Sequence, residues 1–313
     1  MAAQGAPLTR DHGGGLDAAR AQWGGDDWLD LSTGINPHAY PIPHLPPTAW
    51  TALPDTGAET ALIRAARSFW HVPEGTGVLA APGASALIAA LPRLAPGRRV
   101  VIPHPTYNEH AAAFAANGFE VVADGDEDAL VIVHPNNPDG RLWPDRQAPF
   151  TVIDESFCDV CPDASRVAEA SRPGFIVLKS FGKFWGLAGL RLGFAIAHPD
   201  TLAPLAEALG PWPVSGPALG IGATALGDTA WAMETRARLR ADAKRLDGLM
   251  ERHGDLVGGT DLFRLYDVGD AGAMQDRLAR HQIWSRIFPY SGSWLRLGLP
   301  PTTDWTRLEQ ALT

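Results

Sequence analysis

Seven short apolar runs, separated by stretches with helical periodicity, constrain the fold of this chain more than any other feature. Each run is apolar throughout and does not alternate, which is typical of strands covered on both faces. Strand–helix–strand order with right-handed crossovers gives a mostly parallel, doubly wound sheet. We therefore predict an α/β fold in which a seven-stranded sheet lies between helices. The seven predicted strands are residues 78–81, 99–103, 119–123, 129–134, 150–154, 175–179 and 192–197.

The residues before and after the strands of this sheet differ from them in composition and in predicted secondary structure. Residues 1–45 are rich in Gly, Pro and His, and we expect an N-terminal arm that joins a smaller domain. Residues 46–205 would form the large domain, and residues 206–313 a small α+β domain. In the small domain we predict helix over 216–252, strands at 261–267, 282–288 and 293–298, and a last helix at 303–312.

Charge and hydropathy exclude several classes of partner. The formal net charge is -9 over 313 residues, which argues against nucleic acid or an anionic membrane, because both bind basic surfaces. No run reaches about 18 uncharged apolar residues, so no membrane span is predicted. The N-terminus has no basic start followed by an apolar run, so no signal peptide is predicted either.

Two cysteines, Cys158 and Cys161, stand in a C-x-x-C spacing. A structural zinc site needs four ligands and the chain has no second pair. A thioredoxin-like pair would open a helix after the first strand of a small domain, and this pair does not. We interpret them as reduced thiols, which suits a cytoplasmic location.

Polar residues follow five of the predicted strands, where ligands bind in open α/β sheets. Each is ambiguous alone: a Gly-led turn into a helix is common, an aromatic at a strand end is often packing, and Asn-Pro-Asp-Gly is a turn by composition. A carboxylate that closes a buried strand is costly without a cationic partner. Together they predict one polar site, whose members are Ala84, Ser85, Tyr107, Asn137, Asp154, Ser180, Lys183 and Arg191.

Lys183 lies between Gly182 and Phe184 in a chain with few lysines. A desolvated lysine near other cations has a depressed pKa and can act as an amine nucleophile. An imine-forming lysine, a carboxylate for a pyridine nitrogen and a cup for a phosphate are the groups that pyridoxal 5'-phosphate (PLP) needs. The sequence therefore predicts a PLP site without any metal.

Ser180-Phe-Gly-Lys183, followed by Gly189-Leu-Arg191, resembles the lysine motif of the fold type I PLP enzymes, the aspartate-aminotransferase-like family. The resemblance covers roughly residues 30–313. It implies that Lys183 holds the cofactor as a Schiff base. It also implies that Asp154 pairs with the pyridinium nitrogen and that Asn137 donates to the phenolic oxygen, so these three residues are the predicted catalytic set.

The same resemblance assigns the remaining cofactor contacts. Tyr107 would stack on the ring. Ser180, Arg191 and the turn at Ala84 and Ser85 would bind the cofactor phosphate. PLP sites of this fold usually lie at a subunit interface, so the resemblance also implies a homodimer.

Two groups within the family fit best: aminotransferases of histidinol phosphate and decarboxylases of L-threonine O-3-phosphate, a small phosphorylated amino acid from cobalamin biosynthesis. Three features resemble the decarboxylases. They are the His12-Gly-Gly-Gly-Leu16 opening, the Leu31-Ser-Thr-Gly-Ile-Asn-Pro37 segment, and Phe157 where aminotransferases usually have Tyr. We predict the decarboxylase, with the aminotransferase as the alternative.

The substrate of either group carries anionic ends, which need cations. Arg286 and Arg296, with the turn at His12 and Gly13, are the candidates for the two ends, and Arg296 resembles the arginine that binds a carboxylate bidentately. The sequence does not say which end each arginine binds. Gly34 and Asn137 complete the predicted substrate contacts.

Two departures from the family pattern stand out. Leu53 replaces a Tyr that often reaches the neighbouring subunit's cofactor phosphate, and the decarboxylases often have Asn where Gly34 stands. A protein of this fold without catalysis, such as a regulator, is a third possibility. Such proteins usually lack the lysine or carry a DNA-binding domain, so Lys183 and the acidic chain argue against it.

Overall fold

A computed structural model describes residues 11–125 and 127–313. Its strands are β1 (Leu29–Asp30), β2 (Gly77–Ala81), β3 (Arg99–Val101), β4 (Glu120–Val122), β5 (Ala129–Val133), β6 (Phe150–Asp154), β7 (Phe175–Ser180), β8 (Gly193–Ala197), β9 (Asp255–Thr260), β10 (Phe263–Asp267), β11 (Ile283–Trp284), β12 (Arg286–Phe288) and β13 (Ser291–Gly298). Its α-helices are α1 (Leu16–Trp23), α2 (Thr48–Thr51), α3 (Thr56–Phe69), α4 (Ala84–Ala90), α5 (Asn108–Ala116), α6 (Pro199–Leu209), α7 (Gly216–Gly227), α8 (Thr229–Met250), α9 (Ala271–Arg280) and α10 (Trp305–Leu312).

All seven strands predicted for the central sheet are present, in the order β2-β8-β7-β6-β5-β3-β4. The pairs from β7 through β6, β5 and β3 to β4 are parallel. Strand β8 runs antiparallel to both β2 and β7. The prediction of a mostly parallel α/β sheet is therefore confirmed, with one antiparallel strand inserted beside β7.

Two apolar cores cover the two faces of this sheet, which explains why its strands read as continuous apolar runs. Along β5, Leu130 and Ile132 point into one core, while Ala129 and Val131 point into the other. Helices α3, α7 and α8 bury side chains in the first core, and α4, α5 and α6 in the second. The sheet thus lies between two helical layers.

A second, antiparallel sheet has the strand order β12-β13-β10-β9, with α9 packed against β13. The strand predicted over 282–288 is divided into β11 and β12, and the helix predicted over 216–252 is divided into α7 and α8. Strand β9 and helix α9 were not predicted. Boundaries between domains at 45/46 and 205/206 stay predictions.

The N-terminal segment joins the two sheets. Strand β1 pairs in parallel with β11, and the Leu31 carbonyl accepts the Gly298 N–H at 2.6 Å. A few residues on, the Asn36 N–H donates to the Lys183 carbonyl at 3.0 Å, and the Asn36 side chain donates to the Phe184 carbonyl at 2.8 Å. Residues 31–36 therefore run between the small sheet and the lysine loop.

No helix in the described part of the chain combines the length and the apolar character that crossing a bilayer would require.

Candidate active site

A cavity of about 430 Å³ lies at the carboxyl ends of β2, β5, β6 and β7, and β12 and β13 form its opposite wall. A cavity of this size suits a small organic ligand, since such pockets span about 300–1,000 Å³. Every predicted site residue except Gly34 lines it: His12, Gly13, Ala84, Ser85, Tyr107, Asn137, Asp154, Ser180, Lys183, Arg191, Arg286 and Arg296.

Lys183 projects from the loop after β7 into this cavity. Its ammonium donates to the Thr33 carbonyl at 3.3 Å and lies 5.2 Å from the centre of the Phe157 ring. Burial, and next the positive charge of Arg296, lower the pKa of Lys183 from 10.5 to about 8. A substantial fraction of the amine is therefore neutral near pH 8, as an amine nucleophile requires.

Asp154 ends β6 and is only 2% exposed. One carboxylate oxygen lies 2.8 Å from His110 Nε2, and the other accepts from the Ser156 N–H at 2.9 Å and from the Ser156 hydroxyl at 2.5 Å. Burial alone would raise the pKa of Asp154, but His110 and Ser156 outweigh it, so the pKa is lowered. The carboxylate therefore stays ionised in a dry position.

His110 completes this part of the site and was not predicted. It lies in the first turn of α5 and is fully buried. Its Nε2 contacts Asp154, and its Nδ1 is buried without a hydrogen-bond partner among the described residues. Only the packing of α5 against the end of β6 brings the ring to the carboxylate. In the sequence His110 is followed by a run of Ala residues and gives no local signal.

The residues predicted to bind the cofactor phosphate come together where β2 and β7 end. Gly83, at φ +86°, precedes α4, and a Cβ there would lie 2.6 Å from the Arg191 guanidinium. The Arg191 guanidinium donates to the Ala188 carbonyl at 3.0 Å, and the Ser180 hydroxyl accepts from the Gly182 N–H at 3.2 Å. Ala84 and Ser85, at the start of α4, line the same cavity.

Tyr107 forms a side wall and precedes α5. The His12 ring lies over it with a centroid distance of 6.2 Å and an angle of 47°. His12 Nε2 is 3.0 Å from a Glu109 carboxylate oxygen. The structure thus brings His12 and the predicted stacking aromatic together at the mouth of the cavity.

Arg296, on β13, is 4% exposed and holds no carboxylate among the described residues. Its guanidinium donates to the Asn137 side-chain oxygen and, at 2.5 Å, to the Ser32 carbonyl, while Nε has no partner there. Burial, and next the charge of Arg286, lower the pKa of Arg296 to about 10. A buried cation of this kind is poised for an anionic ligand.

Arg286, on β12, is already paired. Its guanidinium binds both oxygens of the Asp11 carboxylate, at 2.5 and 2.7 Å, and also donates to the His12 carbonyl at 2.7 Å. Both members of this ion pair line the cavity. Asp11 and Tyr290 join the cavity wall without having been predicted.

Gly34 lies behind the cavity wall. Its φ is +64°, and a Cβ there would lie 3.1 Å from the Phe263 ring and 3.5 Å from the Phe157 ring. The neighbouring Thr33 faces the cavity instead. A substrate contact by Gly34 therefore stays a prediction, and an Asn at this position would need these two rings to shift.

The residues present fit PLP. A low-pKa lysine, an ionised carboxylate at a strand end and an arginine beside a glycine turn line one cavity. Lys183 would hold the aldehyde carbon, Asp154 the pyridine nitrogen, and Arg191 with Ser180 and the Ala84–Ser85 turn the phosphate. No cluster of three or more metal-binding side chains occurs in residues 11–125 and 127–313.

The chain belongs to the aminotransferase class I and II family, whose pattern matches residues 27–125 and 123–313. Enzymes of this family use PLP as their cofactor. The chain is 42% identical to a threonine-phosphate decarboxylase of a Sinorhizobium species, over 95% of this chain and 94% of that protein. It is 41% identical to a threonine-phosphate decarboxylase of Pseudomonas aeruginosa, over 96% and 97% of the two chains.

Solved structures show the same fold. The histidinol-phosphate aminotransferase of Sinorhizobium meliloti, in complex with PLP, superposes with a TM-score of 0.81, covering 100% of this chain and 97% of that one at 19% identity. The L-threonine-O-3-phosphate decarboxylase of Porphyromonas gingivalis gives 0.74 over 91% and 98%, at 18% identity. Fold type I is therefore confirmed.

Proposed function

We propose that the protein is a PLP-dependent carboxy-lyase that converts L-threonine O-3-phosphate to (R)-1-amino-2-propanol O-phosphate and CO2, for cobalamin biosynthesis. One observation carries this proposal: two arginines, Arg286 and Arg296, face the same cavity as Lys183. The substrate has an amine between a carboxylate and a phosphate, so it needs two cations around one amine-accepting centre. Histidinol phosphate carries a phosphate but no carboxylate.

Phe157 supports the decarboxylase over the aminotransferase. Its ring lies 5.2 Å from the Lys183 amine and packs edge-on against Phe263 at 4.9 Å. The Tyr that aminotransferases usually carry here can donate a hydrogen bond to the cofactor, whereas a phenyl ring cannot. The two threonine-phosphate decarboxylases described above, at 42% and 41% identity, support the same function.

Each residue of the site has a task in this reaction. When bound, PLP accepts the electrons of the bond that breaks at the substrate α-carbon. Asp154, kept ionised by His110 and Ser156, holds the proton on the ring nitrogen. Lys183 Nζ, with its lowered pKa, returns a proton to the α-carbon once CO2 has left. The net change replaces the carboxylate by that proton.

The arginines decide which bond breaks. A bond at the α-carbon breaks when it stands perpendicular to the ring of the cofactor, since only then do its electrons overlap the π system. Arg286 and Arg296 would fix the two anionic ends of the substrate and so hold the carboxylate in that direction. A transaminase would instead hold the Cα–H bond there.

Product analysis tests this function. The PLP-loaded protein is incubated with L-threonine O-3-phosphate, and separately with histidinol phosphate, and products are identified by mass spectrometry while the cofactor spectrum is recorded. We expect 1-amino-2-propanol phosphate from the first, with the spectrum of the aldehyde form retained. Conversion to the pyridoxamine form by histidinol phosphate, without a decarboxylated product from the first, would place the protein among the aminotransferases.

The proposal includes a homodimer in the cytoplasm. Four large hydrophobic side chains, Ile42, Trp50, Leu53 and Trp212, are between 56% and 69% exposed. Residues 48–51 pack against α7, which begins four residues after Trp212, so these side chains belong to neighbouring segments. Exposed apolar side chains of this size favour a partner surface. Both cysteines are free thiols, which suits a reducing compartment.

A further inference from the structure

We propose that Asp11 determines specificity: its carboxylate holds the place of the substrate phosphate on Arg286, and only an anion stronger than a carboxylate displaces it. This inference rests on the proposed function and deepens it, because it assigns the phosphate to Arg286. Asp11 lies outside the residues that the sequence singled out.

The contacts of Arg286 are those of a guanidinium that already holds an anion. One terminal nitrogen donates to an Asp11 carboxylate oxygen at 2.5 Å and to the His12 carbonyl at 2.7 Å. The other donates to the second carboxylate oxygen at 2.7 Å and to the Asp11 carbonyl at 2.9 Å. This is the bidentate geometry with which arginine binds carboxylate or phosphate.

The Asp11 carboxylate can leave without unfolding its segment. Its side chain is 40% exposed while that of Arg286 is 13% exposed, and Arg286 is its only hydrogen-bond donor within the described ranges. The backbone is anchored separately, since the Asn108 side chain donates to the Asp11 carbonyl at 2.8 Å and the Trp284 indole to the Gly14 carbonyl at 2.9 Å. Rotation of the Asp11 side chain is therefore enough to take its carboxylate off Arg286, while the bonds from Arg286 to the Asp11 and His12 carbonyls stay in place.

Arg296 differs from Arg286 because no carboxylate of the described residues binds it. The acceptors on its guanidinium are the neutral oxygens of Asn137 and Ser32. A carboxylate can approach Arg296 without displacing another ion, whereas any anion that reaches Arg286 must exchange with Asp11. A phosphate carries close to two charges and three acceptor oxygens at neutral pH, so it wins this exchange, and a monoanion gains nothing from it. The carboxylate end of the substrate is thus left to Arg296.

If the Asp11–Arg286 ion pair had only a structural role, removing the Asp11 charge would have the opposite effect on phosphate binding. If Asp11 only fastened residues 11–15 over the cavity, removing its charge would loosen that segment and weaken substrate binding. If it competes with the substrate, removing its charge strengthens binding of any phosphate. The sign of the effect therefore separates the two roles.

The test measures binding of inorganic phosphate to the PLP-loaded protein by isothermal titration, in which the cofactor already fills its own phosphate cup. Asp11→Asn keeps the shape and loses the charge, and Asp11→Ser repeats the loss with a different side chain. We expect both to bind phosphate about two- to fivefold more tightly than the wild type, the range that follows from losing one partly exposed ion pair. The KM for L-threonine O-3-phosphate should fall similarly, with kcat within about twofold.

The matched control is Asp17→Asn, which changes the net charge equally. Asp17 is fully exposed and pairs with Arg20 on α1, so phosphate affinity should not change. Unchanged or weaker phosphate binding in both Asp11 variants overturns the proposal, as does an equal gain in the Asp17 variant. The titration needs no turnover, so it decides the role of Asp11 even if L-threonine O-3-phosphate proves not to be the substrate.

Discussion

At the residue scale, two ionisable groups in one cavity are pushed in chemically useful directions. The Lys183 amine loses its proton more easily than an ordinary lysine, because burial and Arg296 both disfavour its charge. Asp154 keeps its charge although it is buried, because His110 and Ser156 bind it. A nucleophile and a fixed anion thus coexist at neutral pH, which is typical of tuned active sites.

The lowered pKa of Lys183 predicts how the apo-protein captures its cofactor. Only the neutral amine attacks the aldehyde, so the capture rate should rise with pH through a midpoint near 8. Stopped-flow absorbance of the imine between pH 6.5 and 9.5 measures it. A rate that keeps rising towards the usual lysine value, without a midpoint near 8, would contradict this environment.

Replacing His110 by Leu should slow catalysis. Asp154 then loses a charge-assisted hydrogen bond while it stays buried, so its pKa rises. A carboxylate that is less fully ionised stabilises the protonated ring nitrogen of the cofactor less. We expect kcat to fall about tenfold or more, the equivalent of one such bond, with KM little changed.

The exposed His281, whose side chain has no hydrogen bond among the described residues, supplies the control variant His281→Leu for the His110 experiment. An unaltered kcat in His110→Leu would show that Ser156 alone keeps Asp154 ionised.

Some site residues could be predicted from the local sequence and others could not, for a physical reason. Asn137, Asp154 and Lys183 follow apolar strands, and parallel strands bring their ends to one edge, so strand order alone predicts their proximity. His110 lies inside a helix, and its distance from Asp154 depends on how α5 docks. The position of Asp11 in the cavity wall depends on the path of a segment with little regular structure. No local sequence pattern specifies that path.

At the element scale, the turn from β2 into α4 forms part of the predicted cup for the cofactor phosphate. Gly83 adopts a positive φ of 86° and lets the Arg191 guanidinium approach the backbone. Any side chain there meets both a strained backbone and that arginine. If the turn binds the cofactor phosphate as predicted, cofactor binding and the stability of this sheet edge depend on the same residue.

Gly83→Ala should weaken both the fold and the hold on PLP. Alanine at φ +86° and ψ 156°, a region that glycine almost alone adopts, costs about 1–3 kcal/mol, and displacement of Arg191 would remove a predicted phosphate contact. Thermal unfolding and equilibrium dialysis of PLP measure the two effects. Gly57→Ala in α3, where a Cβ meets nothing within 4 Å, is the control. Wild-type PLP retention in Gly83→Ala would show that Arg191 does not serve the cup.

The elements of the central sheet were predictable because each strand is covered on both faces. The smaller sheet was harder. Strand β9 contains Gly258 and Gly259, which pack against backbone rather than side chains, and so carries little apolar signal. Strands β1 and β11 are two residues long and exist only through pairing across the chain.

At the scale of the whole molecule, the exposed side chains of Ile42, Trp50, Leu53 and Trp212 predict self-association. The double variant Leu53→Asp/Trp212→Asp should shift the protein towards monomer, because charges are costly in an apolar interface. Sedimentation equilibrium measures it. Leu142→Asp, at a leucine 52% exposed elsewhere, is the control. A wild-type protein that sediments as a monomer would contradict the homodimer.

The cavity also belongs to the whole molecule, since β5, β6 and β7 supply one wall and β12 and β13 the other. In the proposed reaction, this assembled site breaks the bond between the α-carbon and the carboxylate. The most direct measurement mixes PLP-loaded protein with L-threonine O-3-phosphate, without any keto acid, and follows CO2. We predict sustained release that is lost in Lys183→Ala. Absence of CO2 from the wild type, with its cofactor bound, would contradict the account.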